Sequence, residues 1–420
     1  AMSLRRRLVL RERLSRPSYH GNERGQLPRS GLGDTKVQCG CGTFRVPVRE
    51  GGLAVRNYII VGCDVSDRFA SLQWAYNLGG PSKRSFVNDE EGRLRMIEFL
   101  HGRAHEAGGA EVVLAYEAGV HGPGLHDALR AHGIRCEILA PTKMPVSVKA
   151  RKMKTDDEDA LRIFEVLRGH LMAGNRLPAI WVPPPAVRED REVVRARLDV
   201  ARKARCVRTQ IRMLLKRAEV RRPRDFKKAW SAKHLAWLRG LRGGTSPLGR
   251  GSRVALDSLL RQLVWLDDET TRLDQAVVSL AKSTAWAVPA RALQEEAGVG
   301  FLTAMVFLTE IGDLNRFRNR RTIAAYLGLT PSSHETGNAD DRKGHITRQG
   351  SARVRWALCQ AAWSRVRNDS REKAFYERLV RKHPKKKKIA IVAVMRRLAI
   401  RLWHRGQEGD RRVATTAAVA

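Results

Sequence analysis

Residues 58–64 read Tyr58-Ile59-Ile60-Val61-Gly62-Cys63-Asp64, a short apolar run that ends in an acid. A run of this kind predicts a strand that is buried on both faces of a sheet. Residues 111–117 form a second such run, which ends in Glu117. Buried strands rarely finish on a carboxylate without a partner cation, because an unpaired buried charge is costly. Both acids are therefore candidates for a functional site, although either one alone could simply meet solvent.

The elements around these two runs predict a mixed sheet covered by helices. Strands are predicted at residues 58–64, 69–76, 84–87, 111–117 and 134–140, and helices at residues 90–106, 122–132 and from 156 onward. The resulting order, βββαβαβα, is typical of an α/β domain. In an open α/β sheet, ligands bind where the ends of such strands meet, so Asp64 and Glu117 are expected at one edge.

Residues 152–163 add two more acids at the start of the last of these helices. Thr155 and Glu158 have the spacing of a capping box, which predicts that the helix begins at Asp156. Asp156 and Asp159 then share one helical face, with Cβ atoms roughly 5–6 Å apart. Acids in a first turn also suit the helix dipole. Together with the two strand-end acids, however, they predict a cluster of oxygen ligands for Mg²⁺ or Mn²⁺.

The overall charge points to a polyanionic partner. The 420 residues include 79 Lys and Arg against 43 Asp and Glu, a net charge of +36 that is spread over most of the chain. Nucleic acid is the first candidate for such a protein. A membrane surface is less favoured, because the basic stretches lack long apolar faces. No run approaches the roughly 18 apolar residues of a membrane span, and the N-terminus lacks a signal-peptide core, so a cytoplasmic protein is expected.

Changes in composition predict five parts along the chain. Residues 1–56 are a basic flexible arm, 57–180 the α/β domain, 186–284 a helical coiled-coil hairpin, 288–405 a mainly helical C-terminal domain and 406–420 a tail. In the hairpin, apolar residues recur at helical spacing in 188–217 and 253–282. The basic, Trp-rich segment between them is expected to form a loop or small excursion at the tip. The hairpin is either a helical spacer or a dimerisation arm that also lies along RNA or DNA.

Three short motifs carry a family resemblance. Val61–Ser66, Tyr116–Gly119 and Lys154–Ala160 resemble the DEDD transposases of the Piv and bridge-RNA-guided insertion-sequence family. The first motif of that family normally reads Gly-Ile-Asp, so Cys63 is a mild departure. The resemblance implies an RNase H-like (RuvC-type) fold for the first domain. It also implies that the four acids Asp64, Glu117, Asp156 and Asp159 form a divalent-metal tetrad.

The C-terminal part resembles the second domain of the same family. Residues 297–303 predict a helix-hairpin-helix, whose Gly298 and Gly300 could expose backbone N–H groups to a phosphate. Residues 310–317 and 325–331 resemble the signature of the transposase domain that follows such a segment.

The expected nucleophile is the sharpest departure from the family. The family places a serine just before a glycine, and Thr336 stands at that position here. Threonine has a hydroxyl of the same kind, but its β-methyl restricts χ1 and crowds an in-line attack. Either Thr336 is the nucleophile, or Ser333 or Ser332 serves, or this copy is impaired; Thr336 is favoured.

Basic residues near both sites are candidates for contact with the nucleic-acid backbone. A run of charge with no such site beside it would usually be only a solvated surface. The predicted nucleic-acid-binding residues are Lys149, Arg151, Lys152, Lys154, Gly298, Gly300, Lys343, Arg348, Arg353 and Arg355.

The combined prediction is a transposase or recombinase of an insertion sequence that works by phosphoryl transfer. Two metal ions about 3.5–4 Å apart can activate the attacking oxygen and stabilise the leaving one. The resemblance further implies a homo-oligomer acting on element ends and target DNA, and a structured guide RNA that supplies sequence specificity. One alternative is a metal-dependent, structure-specific nuclease, like a Holliday-junction resolvase, that uses water and does not need Thr336. Another is an inactive, transposase-derived nucleic-acid-binding protein.

Overall fold

The computed structural model describes residues 32–39, 42–49, 57–145, 156–226, 228–334 and 342–419. The chain divides into two compact units, Ala1–Val182 and Pro183–Ala420. Within the described residues, no helix has the length and apolar character needed to cross a membrane.

Part of the predicted N-terminal arm has regular backbone structure. Strands β1 (Leu32–Cys39) and β2 (Gly42–Arg49) pair antiparallel as a two-stranded sheet. No strand is predicted there, because the segment is rich in Gly and Arg and lacks a sustained apolar run. The two strands therefore correct the prediction of a flexible arm at residues 32–39 and 42–49.

The first unit is built on a mixed sheet, as the order of elements predicts. Among its described residues, five strands pair in the order β5-β4-β3-β6-β7, and the central β3 is antiparallel to β4 and parallel to β6. The strands are β3 (Tyr58–Val65), β4 (Phe69–Tyr76), β5 (Ser82–Val87), β6 (Glu111–Glu117) and β7 (Arg135–Leu139). The helices are α1 (Glu90–Glu106), α2 (Gly124–Ala131) and α3 (Asp156–Ala173).

Alternate residues of β3 point to two different cores. Val61 and Cys63 pack with the helices α1 and α2 on one face of the sheet, whereas Ile60 packs with α3 on the other. This is the two-residue period of a strand whose faces are both covered. The sheet is thus sandwiched between α1 and α2 on one side and α3 on the other.

The first part of the second unit consists mainly of two long helices. Helix α4 (Pro185–Arg217) and helix α6 (Arg250–Ala281) pack along one another, with the short helix α5 (Ala232–Gly240) between them in sequence. Arg197 pairs with Asp274 and Arg208 pairs with Asp267, both at 2.7 Å. Partner numbers fall along α6 as they rise along α4, so the two helices are antiparallel and form the predicted hairpin.

The rest of the second unit is mainly helical, as predicted. Its elements are α7 (Ala287–Gln294), α8 (Phe301–Ile311), α9 (Arg320–Tyr326), β8 (Pro331–His334), β9 (Arg342–Ile346), α10 (Ala352–Asn368), α11 (Ser370–Lys382) and α12 (Lys387–Val419). Val194 and Leu198 of α4 and Val277 of α6 join the core of these helices. The base of the hairpin and the C-terminal helices therefore share one apolar core.

The prediction of a tail at residues 406–420 needs correction, because α12 continues as far as Val419. The sequence beyond about residue 405 is polar or Ala-rich, which suggests a frayed end, but Gly406 and Gly409 are both buried. A Cβ at Gly406 would lie 2.2 Å from Leu314 Cδ1, and one at Gly409 would lie 3.0 Å from Pro289 Cα. The glycines let α12 approach its neighbours closely and do not end it.

Candidate active site

Asp64 and Glu117 come together because of how their strands pair. Strands β3 and β6 are parallel neighbours with Cys63 opposite Tyr116. Each acid is the next residue along its strand, so the two carboxylates leave the sheet side by side at the same edge. Both residues are half-buried.

Helix α3 brings a third acid to this edge, and Gly62 allows it to do so. A Cβ at Gly62 would lie only 2.3 Å from the carbonyl oxygen of Ala160 and from the amide nitrogen of Phe164. The helix therefore lies directly on β3 at Gly62, two residues before Asp64. Asp159, in the first turn of α3, is only 7% exposed.

The remaining acids of α3 are exposed, and they differ in their surroundings. Asp156 is the first residue of the helix. Asp157 forms an ion pair with Lys83 at 2.7 Å, with more than half of each side chain exposed. Thr155, the predicted capping residue, lies outside the described residues.

An arginine that the sequence analysis missed connects two of the acids. The Nη2 atom of Arg162 lies 2.9 Å from Asp159 Oδ1 and 3.3 Å from Glu117 Oε1. Its Nε is buried and makes no hydrogen bond within the described residues. A carboxylate three residues before a cation on one helical face is a recognisable signal for an ion pair. That signal would have identified the contact with Asp159 but not the contact with Glu117.

Two groups directly behind the acids are held in their neutral forms. Burial, and secondarily the charge of Asp64, raises the pKa of the Cys63 thiol well above its usual range. Burial also raises the pKa of Tyr116, whose hydroxyl donates to the carbonyl oxygen of Gly122 at 3.3 Å. A neutral thiol is a poor nucleophile and a poor metal ligand. Cys63, the departure from the family motif, therefore acts as an apolar support.

The two glycines of the predicted helix-hairpin-helix have different surroundings. Gly298 has a φ of 84°, and a Cβ there would lie 2.7 Å from Ala361 O and 2.9 Å from Arg365 N. Close packing against α10 is thus sufficient to require glycine at this position. Gly300 is exposed at the N-terminus of α8.

The predicted basic residues of the C-terminal part are partly engaged by the protein itself. Arg353 pairs with Asp199 at 3.4 Å. Arg355 donates to the carbonyl oxygen of Gly350 at 2.8 Å, and burial, followed by the charge of Arg348, lowers its pKa. Arg348 is exposed, with a φ of 55°.

The candidate nucleophiles lie around the hairpin of β8 and β9. The hydroxyl of Ser332 donates across the hairpin to the carbonyl oxygen of His345 at 3.1 Å. Ser333 is exposed, and in the strand register it lies opposite Lys343. Thr336 is outside the described residues, as are Lys149, Arg151, Lys152 and Lys154.

Comparison with known protein families matches both parts of the chain. A model described as the transposase IS116/IS110/IS902 family matches residues 290–377. A transposase model for the DEDD domain of the IS110 type matches residues 61–219. The second match contains the strand-end acids and α3, and the first contains the β8–β9 hairpin.

Individual relatives agree with these matches. A putative transposase, y4qE, from Sinorhizobium fredii is 30% identical over 254 residues, which are 60% of this chain and 58% of the relative. The transposase for insertion sequence element IS1111A from Coxiella burnetii is 27% identical over 56% of this chain and 61% of its own length. The transposase for IS1533 from Leptospira borgpetersenii is 26% identical over 51% of this chain and 59% of its own length.

The matched segments thus cover less than two thirds of each of these three relatives. The two family matches nevertheless fall on the sheet-edge site and on the C-terminal helices. The chain belongs to the IS116/IS110/IS902 family of transposases.

Proposed function

We propose that this chain is the transposase of an insertion sequence, which cuts and rejoins DNA by phosphoryl transfer. Asp64, Glu117, Asp156 and Asp159 are the proposed catalytic acids. The observation that carries the proposal is the placement of Asp64 and Glu117 at the ends of adjacent parallel strands, with Asp159 joined to Glu117 through one cation. The strand order also supports our assignment of the sheet to the RNase H-like (RuvC-type) fold.

The carboxylates of the described site are of the ligand type that a divalent cation prefers. Among the described residues, no three side chains of His, Cys, Asp and Glu are grouped closely enough to hold a metal ion. Glu117 and Asp159 nevertheless share the guanidinium of Arg162, so this pair already accepts a positive group between its oxygens. Carboxylate oxygens are the ligands that Mg²⁺ and Mn²⁺ prefer. When bound, such an ion would activate an attacking oxygen and stabilise a leaving one.

The protein's own groups have separate proposed roles. The acids would hold the cation at the edge of the sheet, and Arg162 would limit their mutual repulsion before DNA arrives. The hydroxyl of Thr336 would attack a phosphorus atom of the DNA strand, forming a new O–P bond. The bond from phosphorus to the leaving strand would break, and the leaving oxygen would take up a proton. Ser333 or Ser332 would be the nucleophile if Thr336 is not.

Contacts to the nucleic-acid backbone would come from the basic residues named above. Of the two glycines, we propose only Gly300 for a phosphate contact, because it is exposed at a helix N-terminus. A homo-oligomer and a structured guide RNA complete the proposal. The net charge of +36 supports partners of this kind, and the family resemblance suggests the RNA.

Cleavage of an element-end DNA substrate by the full chain tests the proposal. We expect Asp64→Asn and Asp159→Asn to abolish strand cleavage, and Asp157→Asn to retain it, because Asp157 is an exposed acid paired with Lys83. A covalent protein–DNA adduct should map to Thr336 and disappear in Thr336→Val.

Three other outcomes would redirect the assignment. Cleavage without any adduct would favour a nuclease that uses water. An adduct at Ser333 would move the nucleophile to that residue. Unchanged cleavage in Asp64→Asn would exclude the proposed acid site.

A further inference from the structure

The end of the helical hairpin carries a small folded cap. We define the hairpin tip as residues 216–226 and 228–253, which include α5. Leu238, Leu241 and Leu248 of the tip are buried in one cluster with residues of α4 and α6. The tip is therefore held by the core of the hairpin and has a defined surface.

An aromatic cluster fixes the position of α5 within the tip. The ring of His234 stacks on Trp237 with 5.6 Å between centroids and an angle of 20°. It also contacts Phe226 and Trp230, at 6.1 and 5.3 Å. The Trp230 amide donates to His234 Nδ1 at 2.9 Å, and burial lowers the pKa of His234. A neutral histidine thus serves as an acceptor inside the tip, and the aromatic rings pack around it.

The surface around this cluster is strongly positive. Within the described tip, eight cations are exposed and form no ion pair: Lys216, Arg217, Arg221, Arg222, Arg224, Lys228, Arg239 and Arg250. Of the nearby acids, Asp225 pairs with Lys233 and Asp257 pairs with Arg242, both at 2.6 Å, and Glu219 is an exposed acid within the tip. Acids within the described tip and its flank therefore leave most of this positive charge uncompensated.

We infer that the hairpin tip is a binding site for the phosphate backbone of nucleic acid. Clustered, unpaired cations bind a polyanion by releasing its counterions. Because the Trp and Phe rings of the tip pack on one another and on His234, they offer no broad stacking platform, and the contacts should be to phosphates and not to bases. Binding at this site should therefore depend little on sequence. This binding site goes beyond the proposed phosphoryl transfer, because it requires no catalytic acid.

Binding by the full chain tests the inference, with Asp64→Asn present in every variant to prevent cleavage. The probes are a short DNA duplex of scrambled sequence and an RNA stem-loop. Affinity is measured by fluorescence anisotropy over a range of salt concentrations. For Arg221→Ala/Arg222→Ala/Arg224→Ala, we expect weaker binding and a log–log salt slope smaller by about 2 to 3, since each lost phosphate contact removes about 0.9.

A matched control removes the same charge from cations that already have partners. Arg202, Arg261 and Arg272 lie on the two long helices and pair with acids at 3.4, 3.1 and 2.5 Å. Their triple Ala variant should keep most of the affinity and slope. Circular dichroism should show that both triple variants remain folded, because all six side chains are exposed.

Each outcome of this comparison has a definite meaning. A loss with both probes supports a general backbone site, and a loss with one probe identifies DNA or RNA as the partner. An unchanged slope in the tip variant would overturn the inference. An equal loss in the control variant would also overturn it, because net charge alone would then explain the binding.

Discussion

Glu117 and Asp159 share the guanidinium of Arg162, so the candidate site contains a cation of its own before any metal ion binds. The Asp159 side chain is only 10% exposed, and those of Glu117 and Arg162 are 27% and 21% exposed. An ion pair in this partly buried setting is less screened than one at the surface. Arg162 thus affects both the stability of α3 on the sheet and the charge that a divalent ion would meet.

Replacing Arg162 should reveal this double role. In Arg162→Ala without divalent ions, we expect the free energy of unfolding to fall by about 1–3 kcal/mol, because two carboxylates lose a charged hydrogen-bond partner. Mn²⁺ should restore part of the loss, since an ion that binds only the folded state stabilises it. Urea unfolding in EDTA and in Mn²⁺ measures both effects.

Lys83→Ala is the matched control for this measurement. Lys83 also pairs with an acid of α3, but its pair with Asp157 is well exposed. Such a pair contributes about 0–1 kcal/mol. Equal losses in the two variants, with no recovery in Mn²⁺, would contradict the role given to Arg162.

At the scale of the element, the contact between α3 and β3 positions the third acid. Phe164, Ile163 and Leu167 of α3 are fully buried against the sheet. They can pack there because Gly62 has no side chain at the point where the helix backbone comes closest to the sheet. The same contact therefore stabilises the first unit and sets the distance between Asp64 and the start of α3.

A methyl group at Gly62 should separate the two elements. We expect Gly62→Ala to destabilise the protein by about 1–3 kcal/mol, as overpacking of a core does. We also expect it to weaken stabilisation by Mn²⁺, because Asp159 moves with the helix. Gly102→Ala is the control, since a Cβ built in that exposed helical position has no described atom within 4 Å apart from its chain neighbours and its own helix backbone. At Gly102 the change in the free energy of unfolding should be neutral or stabilising by up to about 1 kcal/mol. An equally mild effect of Gly62→Ala would show that α3 does not lie on β3 as described.

At the scale of the whole molecule, the two compact units have separate cores. The cores that hold the sheet contain residues of the first unit only, and those of the helical hairpin and C-terminal helices contain residues of the second only. All four proposed acids lie in the first unit, whereas Thr336 lies in the second. A reaction that uses the acids and this hydroxyl would thus need residues from both units.

The separate cores lead us to expect that the first unit folds alone. A fragment of residues 57–182 should unfold cooperatively in urea and be stabilised by Mn²⁺, with Asp64→Asn reducing the stabilisation. A shorter fragment, 57–145, lacks α3 and should not unfold cooperatively, because one face of the sheet would lose its apolar cover. Absence of a cooperative transition in the longer fragment would show that this unit depends on the rest of the chain.

Much of the architecture followed from local patterns. The runs that end at Asp64 and Glu117, the helical periods of 188–217 and 253–282, and the order of elements predicted the mixed sheet and the mainly helical C-terminal part. Asp156 was predicted to begin its helix, and α3 begins there. These features depend on side chains two to four positions apart, a spacing that the sequence displays directly.

Other features depended on residues far apart in the chain. The polar and Ala-rich composition beyond residue 405 suggested a tail, yet Gly406 and Gly409 let α12 pack closely on its neighbours. Gly298 suggested a phosphate contact, yet its neighbour is the backbone of α10. In each case the sequence showed a small residue, and only the packing of distant elements showed what required it.

The sequence by itself therefore determined the strands of the mixed sheet, the two long helices and the positions of the acids on them, because strand and helix periods are local properties. Only the tertiary structure decided that Arg162 joins Glu117, 45 residues away, to Asp159, three residues away. That contact exists because α3 lies on β3 at Gly62, and a helix–sheet approach of this kind depends on the shapes of both surfaces. Nothing in the local spacing of either element specifies it.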